Sequence, residues 1–198
     1  MLHIANRRCK EKTLKSKFGD DVIICDITSQ SENNQLVQLS PFYPHGDIPV
    51  PFSDGYTSMC VEAVWQGLKV FQNQDVDTSI FFNGSMKNLK RTIRSNGAIL
   101  GHRKGVHGIV LLDYLTSRKE IYLPTYLWML EHKVAPIINR LKEVYKEKNI
   151  VLLDYTTNCN PFDTKKPLSH AYLVKAYVEG CYPDMNAGEK TLSTYRSN

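Results

Sequence analysis

The sequence predicts an α+β fold, a single helix-rich domain around a small β-sheet. Two short runs, "DVIICDIT" and "NIVLLDYTT", are rich in β-branched and leucine residues and read as strands near the two ends of the chain. Between and after them lie segments with the three-to-four-residue apolar period of helices, among them "LPTYLWMLEHKVAPIINRLKEVYKEK". A chain of 198 residues, 42% hydrophobic and 23% charged, has the composition of one ordinary globular domain.

In chain order, the charged stretch from Asn6 to about Lys17 reads as a surface helix stopped by Gly19. The first strand follows, then the polar loop "SQSENNQ", and "LVQLS" as a second strand candidate. Four prolines and two glycines make "PFYPHGDIPVPFSDGYTS" irregular, while Phe42, Tyr43, Phe52 and Tyr56 favour an ordered loop. "CVEAVWQGLKVF", Cys60 to Phe71, reads as one helix with Ser58 or Thr57 as its N-cap. "TSIFF" is expected to be extended, "SMKNLKRTIRS" a basic helix ended by Gly97, and "GHRKGVHG" a turn-rich loop. Helices are expected over "VLLDYLTSRKEIY" and the segment after it, with Pro124 at a helix start and Pro136 kinking or breaking the second. "LSHAYLVKAYVEG" closes the domain, which is expected to span 1–180, with a polar tail over 181–198.

A net charge of +5 is compatible with an anionic ligand or with nucleic acid and requires neither. The basic residues gather in the first 17 positions and in "MKNLKRTIRSNGAILGHRKG", either around a phosphate or on a solvated face. The five cysteines are scattered and lack a C-x-x-C pair, so reduced thiols are expected rather than disulfides or zinc. With no apolar run long enough for a bilayer and no apolar core behind the basic N-terminus, a cytoplasmic protein without a membrane partner is expected. No metal or cofactor is predicted, since there is neither a ligand-spaced histidine pair nor a phosphate-binding glycine motif. The oligomeric state is not legible.

On a helix, Glu62, Trp65, Gln66 and Lys69 share an arc of about 100°, and nearly all other positions are apolar. Such a stripe is either a wet face or the wall of a pocket. A capping box that would occupy Glu62 needs Ser or Thr at position 59, where Met stands. Trp65 amid carboxylate, amide and ammonium favours the pocket wall.

"SPFYP", an irregular stretch and then "VEAVWQGLKVF" resemble the opening signature of the NADAR superfamily, with matches at Ser40, Phe42, Tyr43 and Pro44 and at Val61, Glu62, Gln66 and Lys69. The resemblance continues more loosely to Asn158. It implies an N-glycosidase that cleaves a ribose–nitrogen bond of a phosphoribosylated or ADP-ribosylated base, ADP-ribosyl-guanine in nucleic acid included. The chain departs from the pattern at Ala63, usually a ring, and where "KKPLSHAYLVKAY" replaces a terminal tryptophan-glycine stretch, as in a divergent branch.

Breaking such a bond passes through an oxocarbenium-like state that calls for a carboxylate and an activated water. Glu62 is the catalytic candidate, with Lys69 and Asp154 as further catalytic residues. Gln66 would hold ribose hydroxyls or the water, and Ser40, Asn158 and His170 would contact the substrate. Trp65 with Phe42 or Tyr43 would stack the base, unless the loop rings only pin the loop. In "LGHRKG", His102 and Arg103 would meet a phosphate or, alternatively, sit at a helix C-cap. Asp154 is alternatively a turn cap, and His170 the first helical residue after a Ser169 cap. Two other functions stay open, a non-catalytic nucleotide or ADP-ribose module and a basic nucleic-acid-binding protein.

Overall fold

In the computed structural model, which describes residues 1–184, the class is α+β. The strands are β1 (Leu2–Asn6), β2 (Ile23–Asp26), β3 (Ile48–Pro49), β4 (Thr57–Ser58), β5 (Lys69–Phe71), β6 (Ile99–Arg103), β7 (Leu111–Leu112) and β8 (Ile150–Asp154). The helices are α1 (Glu11–Phe18), α2 (Val61–Gly67), α3 (Ile93–Asn96), α4 (Tyr114–Ser117), α5 (Leu123–His132), α6 (Ala135–Glu147) and α7 (His170–Val178). Two compact units emerge among the described residues, one from Met1–Cys25 with the chain from Leu141 to Asp184, the other from Asp26–Arg140. Residues 185–198, most of the expected tail, lie outside the described residues.

The first unit holds a sheet of order β1-β8-β2. β8 is buried along its whole length and runs parallel to β1, from Leu2 opposite Ile150 to Asn6 opposite Asp154. Burial on both faces matches its uninterrupted apolar run. Leu14 of α1 packs with Ala5, Val22, Val151 and Leu153. Glu11 near the start of α1 pairs with Lys15 one turn on, an order that also suits the helix dipole. α7 starts at the Ser169 cap, whose hydroxyl accepts from the Tyr172 amide at 3.3 Å.

The second unit holds a two-stranded ribbon, β3-β4, and the antiparallel sheet β5-β6-β7. α5 carries Pro124 in its first turn, and α6 begins at Ala135 with Pro136 next, so the second proline divides two helices as expected.

Several expectations fail for identifiable reasons. β1 stands before the first helix because its partner, β8, is almost the whole chain away. "LVQL" is a 3-10 turn, as is "TSIFF", where the Asp77 carboxylate accepts from the Ser79 amide at 3.1 Å. The basic helix shrinks to α3: Met86 and Asn88 have positive φ, and Asn83 bonds the Ser85 amide and the Lys87 carbonyl, which competes with helical bonding. The "GHRKG" loop is partly strand β6, and "VLLDY" begins with strand β7.

Candidate active site

The loop "SPFYP" folds around Ser40. Its buried hydroxyl accepts from the Phe42 amide at 3.3 Å and its carbonyl from the Tyr43 amide at 3.0 Å. The Pro41 carbonyl then accepts from the Glu62 amide at 2.8 Å, which ties the loop to the first turn of α2. Phe42 packs against Cys60, Ala63 and Leu89, so its side chain pins the loop. Tyr43 rests on the His45 ring at 4.8 Å. The N-cap of α2 is Cys60, whose Sγ accepts from the Ala63 amide, in place of Ser58 or Thr57. Ser58 donates instead to the Cys60 and Phe81 carbonyls.

α2 ends at Gly67, two residues before Lys69, which is the first residue of β5. Lys69 is therefore not on the helical arc, although its side chain returns to it. Gln66 Nε2 donates to Glu62 Oε1 at 2.8 Å, and Lys69 Nζ donates to Gln66 Oε1 at 3.1 Å. The Arg91 amide also donates to Gln66 Oε1, at 3.2 Å, so two donors on one oxygen fix which end of the carboxamide faces Glu62. All three links, Glu62, Gln66 and Lys69, are buried. The stripe is thus neither wet nor helical throughout.

Arg91 closes the end of α2. Its guanidinium donates to the Gln66 carbonyl at 3.1 Å, near the helix end, and to the Lys69 carbonyl at 2.6 Å and the Asp75 carbonyl at 2.7 Å beyond it. Burial pushes the Lys69 ammonium below its ordinary pKa; Glu62 opposes this, and Arg91 and Lys90 reinforce it.

β5 pairs with β6 so that Lys69 stands directly opposite His102, and both project from the same face of the sheet. The His102 ring stacks on Trp65 with centroids 3.8 Å apart at 35°, covering one face of the indole. Tyr114 and Tyr122 meet the same indole edge-on at 5.8 and 5.6 Å. His102 is 1% exposed, and its ring lies against the Trp65 backbone as well as the indole. Burial and the adjacent Lys69 push its pKa down to about 3, while a hydrogen bond with the Trp65 backbone acts the other way.

Arg103, expected beside a phosphate, is held by both carboxylate oxygens of Asp75, at 3.1 and 2.7 Å, and by the Ile109 carbonyl. That pairing keeps the Asp75 carboxyl below its usual range. Neither residue sits at a helix C-cap, because 99–103 is strand.

Asp154, Asn158 and His170 belong to the other unit. Burial alone would raise the Asp154 pKa, but His170 Nδ1 at 3.0 Å and the Ser169 hydroxyl at 2.7 Å draw it down to about 2. The Tyr155 amide donates to its second oxygen at 2.6 Å. Asn158 organises the following loop, with Nδ2 donating to the Lys166 carbonyl and Oδ1 accepting from the Asn160 amide. Together these contacts tie the end of β8 and the loop after it to the start of α7.

Residues 6–174, which include every candidate above, match the model of a family of unknown function, DUF6939. The chain belongs to this family. A 98-residue stretch is also 31% identical to the transcription termination factor FttA of Cenarchaeum symbiosum (strain A), covering 50% of this chain and 15% of that protein. In this DUF6939 chain, sequence reasoning missed Tyr114 and Tyr122, and it counted Arg91 only among the basic residues, without its place at the end of α2. The two tyrosines carried a signal, since Tyr114, Arg118 and Tyr122 recur every fourth residue; α4 and the π-helical turn Arg118–Tyr122 present the two rings toward Trp65. Arg91 carried none, because its role is set by carbonyls that only the fold assembles. Among the described residues no group of three or more His, Cys, Asp or Glu is arranged to hold a metal ion, and no helix is long and apolar enough to cross a membrane.

Proposed function

We propose that this chain is an N-glycosidase that cleaves the ribose–nitrogen bond of a phosphoribosylated or ADP-ribosylated base. The observation that carries this reading is the buried chain Glu62–Gln66–Lys69 beside the Trp65–His102 stack. A carboxylate removed from bulk water stabilises a neighbouring oxocarbenium charge far better than an exposed one. Gln66 holds Glu62 in one orientation, so little reorganisation is needed as that charge develops. With a pKa below its ordinary value, Lys69 is suited to exchange a proton with the departing base or the attacking water. Trp65 offers one indole face to the base, and Lys69, Lys90 and Arg91 supply the positive potential for the ribose phosphate. The resemblance of "SPFYP" and "VEAVWQGLK" to the NADAR signature adds weight, including for ADP-ribosyl-guanine in nucleic acid.

The test is Glu62→Gln assayed on ADP-ribosylated guanine and on phosphoribosylated pyrimidines. Turnover should fall at least ~100-fold with affinity largely retained, as expected for removal of one transition-state group. Unchanged turnover sinks the catalytic role of Glu62. Binding by the wild type without turnover would turn the reading into a non-catalytic nucleotide module.

A second reading, nucleic-acid binding, is favoured by the partial likeness to a termination factor and by the basic segment Lys87–Arg94. It predicts affinity for unmodified DNA or RNA that falls steeply with salt and depends on Lys87, Lys90, Arg91 and Arg94.

A further inference from the structure

The second unit is uneven in both charge and polarity, and the two biases coincide. Positions 78–112 hold six lysines and arginines and no Asp or Glu, one positive charge more than the +5 of the whole chain. The same stretch, under a fifth of the sequence, holds seven of the twelve large apolar side chains that stand exposed among the described residues. An isolated exposed leucine needs no explanation, but an apolar cluster rimmed by polar groups marks a surface that something covers.

The fold gathers these side chains on the β6-β7 hairpin. His102 and Leu112 are register partners and both are buried, so alternation turns Ile99, Gly101, Arg103 and Leu111 to the opposite face. A Cβ at Gly101 would lie 3.0 Å from Leu111 Cγ, so the leucine side chain lies across Gly101, one step along the face from Ile99. The Lys104 amide extends the ladder by donating to the Val110 carbonyl at 3.0 Å, and Arg103 Nη1 donates to the Ile109 carbonyl at 3.2 Å. The connecting turn is fastened, with the Val106 amide donating to the Ser53 hydroxyl at 2.9 Å and the His107 ring meeting the Tyr56 hydroxyl at 3.0 Å. Ile109 therefore stands 91% exposed on a fixed support, while Ile99, Leu100 and Val110 are each more than half exposed along the same ribbon. α3, two residues before β6, adds the exposed Ile93 and Arg94.

We propose that this hairpin docks on an anionic membrane surface, with Ile99, Ile109 and Leu111 entering the acyl boundary and Lys87, Lys90 and Arg94 meeting lipid phosphates. Charge complementarity selects this partner. Arg103 and Lys104 are paired within the fold to Asp75 and Glu120, and Arg91 is engaged by carbonyls, so the outward charge rests on the other three cations. Asp113, the acid that follows Leu112, is turned to the Thr116 amide and hydroxyl. A second copy would set these cations against themselves. Nucleic acid calls for aromatic stacking platforms, whereas the exposed side chains of both hairpin strands are aliphatic. A protein partner would need a socket for each protruding side chain, and the anchors of such interfaces are more often aromatic. The expectation of no membrane partner rested on the lack of a spanning run, which docking on a surface does not require. The inference is independent of the glycosidase reading.

The experiment is co-sedimentation of the full chain with vesicles of phosphatidylcholine alone and of equal parts phosphatidylcholine and phosphatidylglycerol. The protein should sediment with the anionic vesicles, less so as salt rises, and stay in solution with the neutral ones. Ile109→Ser, at a position too exposed to disturb the fold, should weaken binding about tenfold or more, and Ile109→Leu should restore it. Lys87→Ala and Arg94→Ala should each weaken it about fivefold. Ile109→Trp should show emission that shifts to the blue on adding anionic vesicles, a sign of entry into the apolar layer that purely electrostatic attachment does not give. Absence of sedimentation, equal sedimentation with neutral vesicles, or binding that responds to the charge variants but not to Ile109→Ser would each overturn the proposal. So would an Ile109-dependent dimer, or Ile109-dependent binding of a DNA oligonucleotide or of a soluble peptide alternating Leu and Glu, in a protein that ignores anionic vesicles. Failure here leaves the Glu62→Gln test untouched, and unchanged turnover in Glu62→Gln leaves vesicle binding untouched.

Discussion

Lowering the pH from 7 to 5 should cost the wild-type protein about 2 kcal/mol more stability than it costs His102→Phe. The magnitude follows from proton linkage. His102 has an ordinary pKa of 6.5 and one of about 3 in the fold, where burial and Lys69 disfavour its charged form. Below pH 6.5 the unfolded chain takes up a proton that the folded chain refuses, so stability falls as the pH falls, and the loss levels off only near pH 3. Integrating between pH 7 and pH 5 gives about 2 kcal/mol, and well below pH 6.5 the slope approaches ~1.4 kcal/mol per pH unit. Phe keeps the stack on Trp65 and does not titrate. His3 and His45 are also pushed below the ordinary value by burial and add their own acid losses, which is why the quantity read is a difference between two proteins. Urea unfolding at pH 7, 6 and 5 measures it, followed by tryptophan fluorescence, because Trp65 and Trp128 are the two tryptophans and both lie in the second unit. Equal slopes for the two proteins, or a His102 resonance that titrates near pH 6, would refute the reasoning. Lys69→Met, which removes the positive neighbour, should narrow the gap without closing it, since burial is the larger cause.

Asp154→Asn should cost about 2 kcal/mol at pH 7, checked by denaturant unfolding. The carboxyl pKa drops from 3.8 to about 2 in the fold, so its contribution is complete above pH 3.8 and is lost as the pH falls through about 2; wild type and variant should converge there. Arg91→Lys cannot reproduce the forked bonds to the Gln66, Lys69 and Asp75 carbonyls, and should lower urea-unfolding stability by about 1–3 kcal/mol. Gly67→Ala puts a methyl group 2.2 Å from Phe81 Cε1, and Phe81 is fully buried; a thermal shift corresponding to about 1–3 kcal/mol of destabilisation is expected.

What could be read from the sequence follows how local each determinant is. "IVLLD" was legible because an unbroken apolar run between polar segments needs no partner to be recognised, and α7 because Ser169 announces its own start. Glu62 and Gln66 were legible as neighbours, since four residues on a helix bring side chains together whatever surrounds them. The end of α2 was not: "LKVF" continues the apolar pattern of a buried helix, and a short apolar run does not distinguish helix from strand. β5 exists because β6 pairs with it, an interaction some thirty residues removed that no local period encodes. His102 was named as a site residue, but for a phosphate; its place on Trp65 and opposite Lys69 depends on that same pairing. Asp154 and His170 were each legible as a site residue or as part of a cap, but the side-chain pair they form joins a strand end to a helix start that only the fold brings together.

The change from helix to strand between Gly67 and Lys69 makes the site a counting device. On a helix, one inserted residue turns every later side chain by about 100°, an error that neighbouring rotamers can partly absorb. On a strand the same insertion inverts the side chain completely. Because Glu62 and Gln66 are set by the helical count and Lys69 by the strand count, an insertion or deletion at Leu68 would leave the first two in place and swing the ammonium to the opposite face of the sheet, away from His102. Length variation among relatives of this chain is therefore expected to stop at this junction.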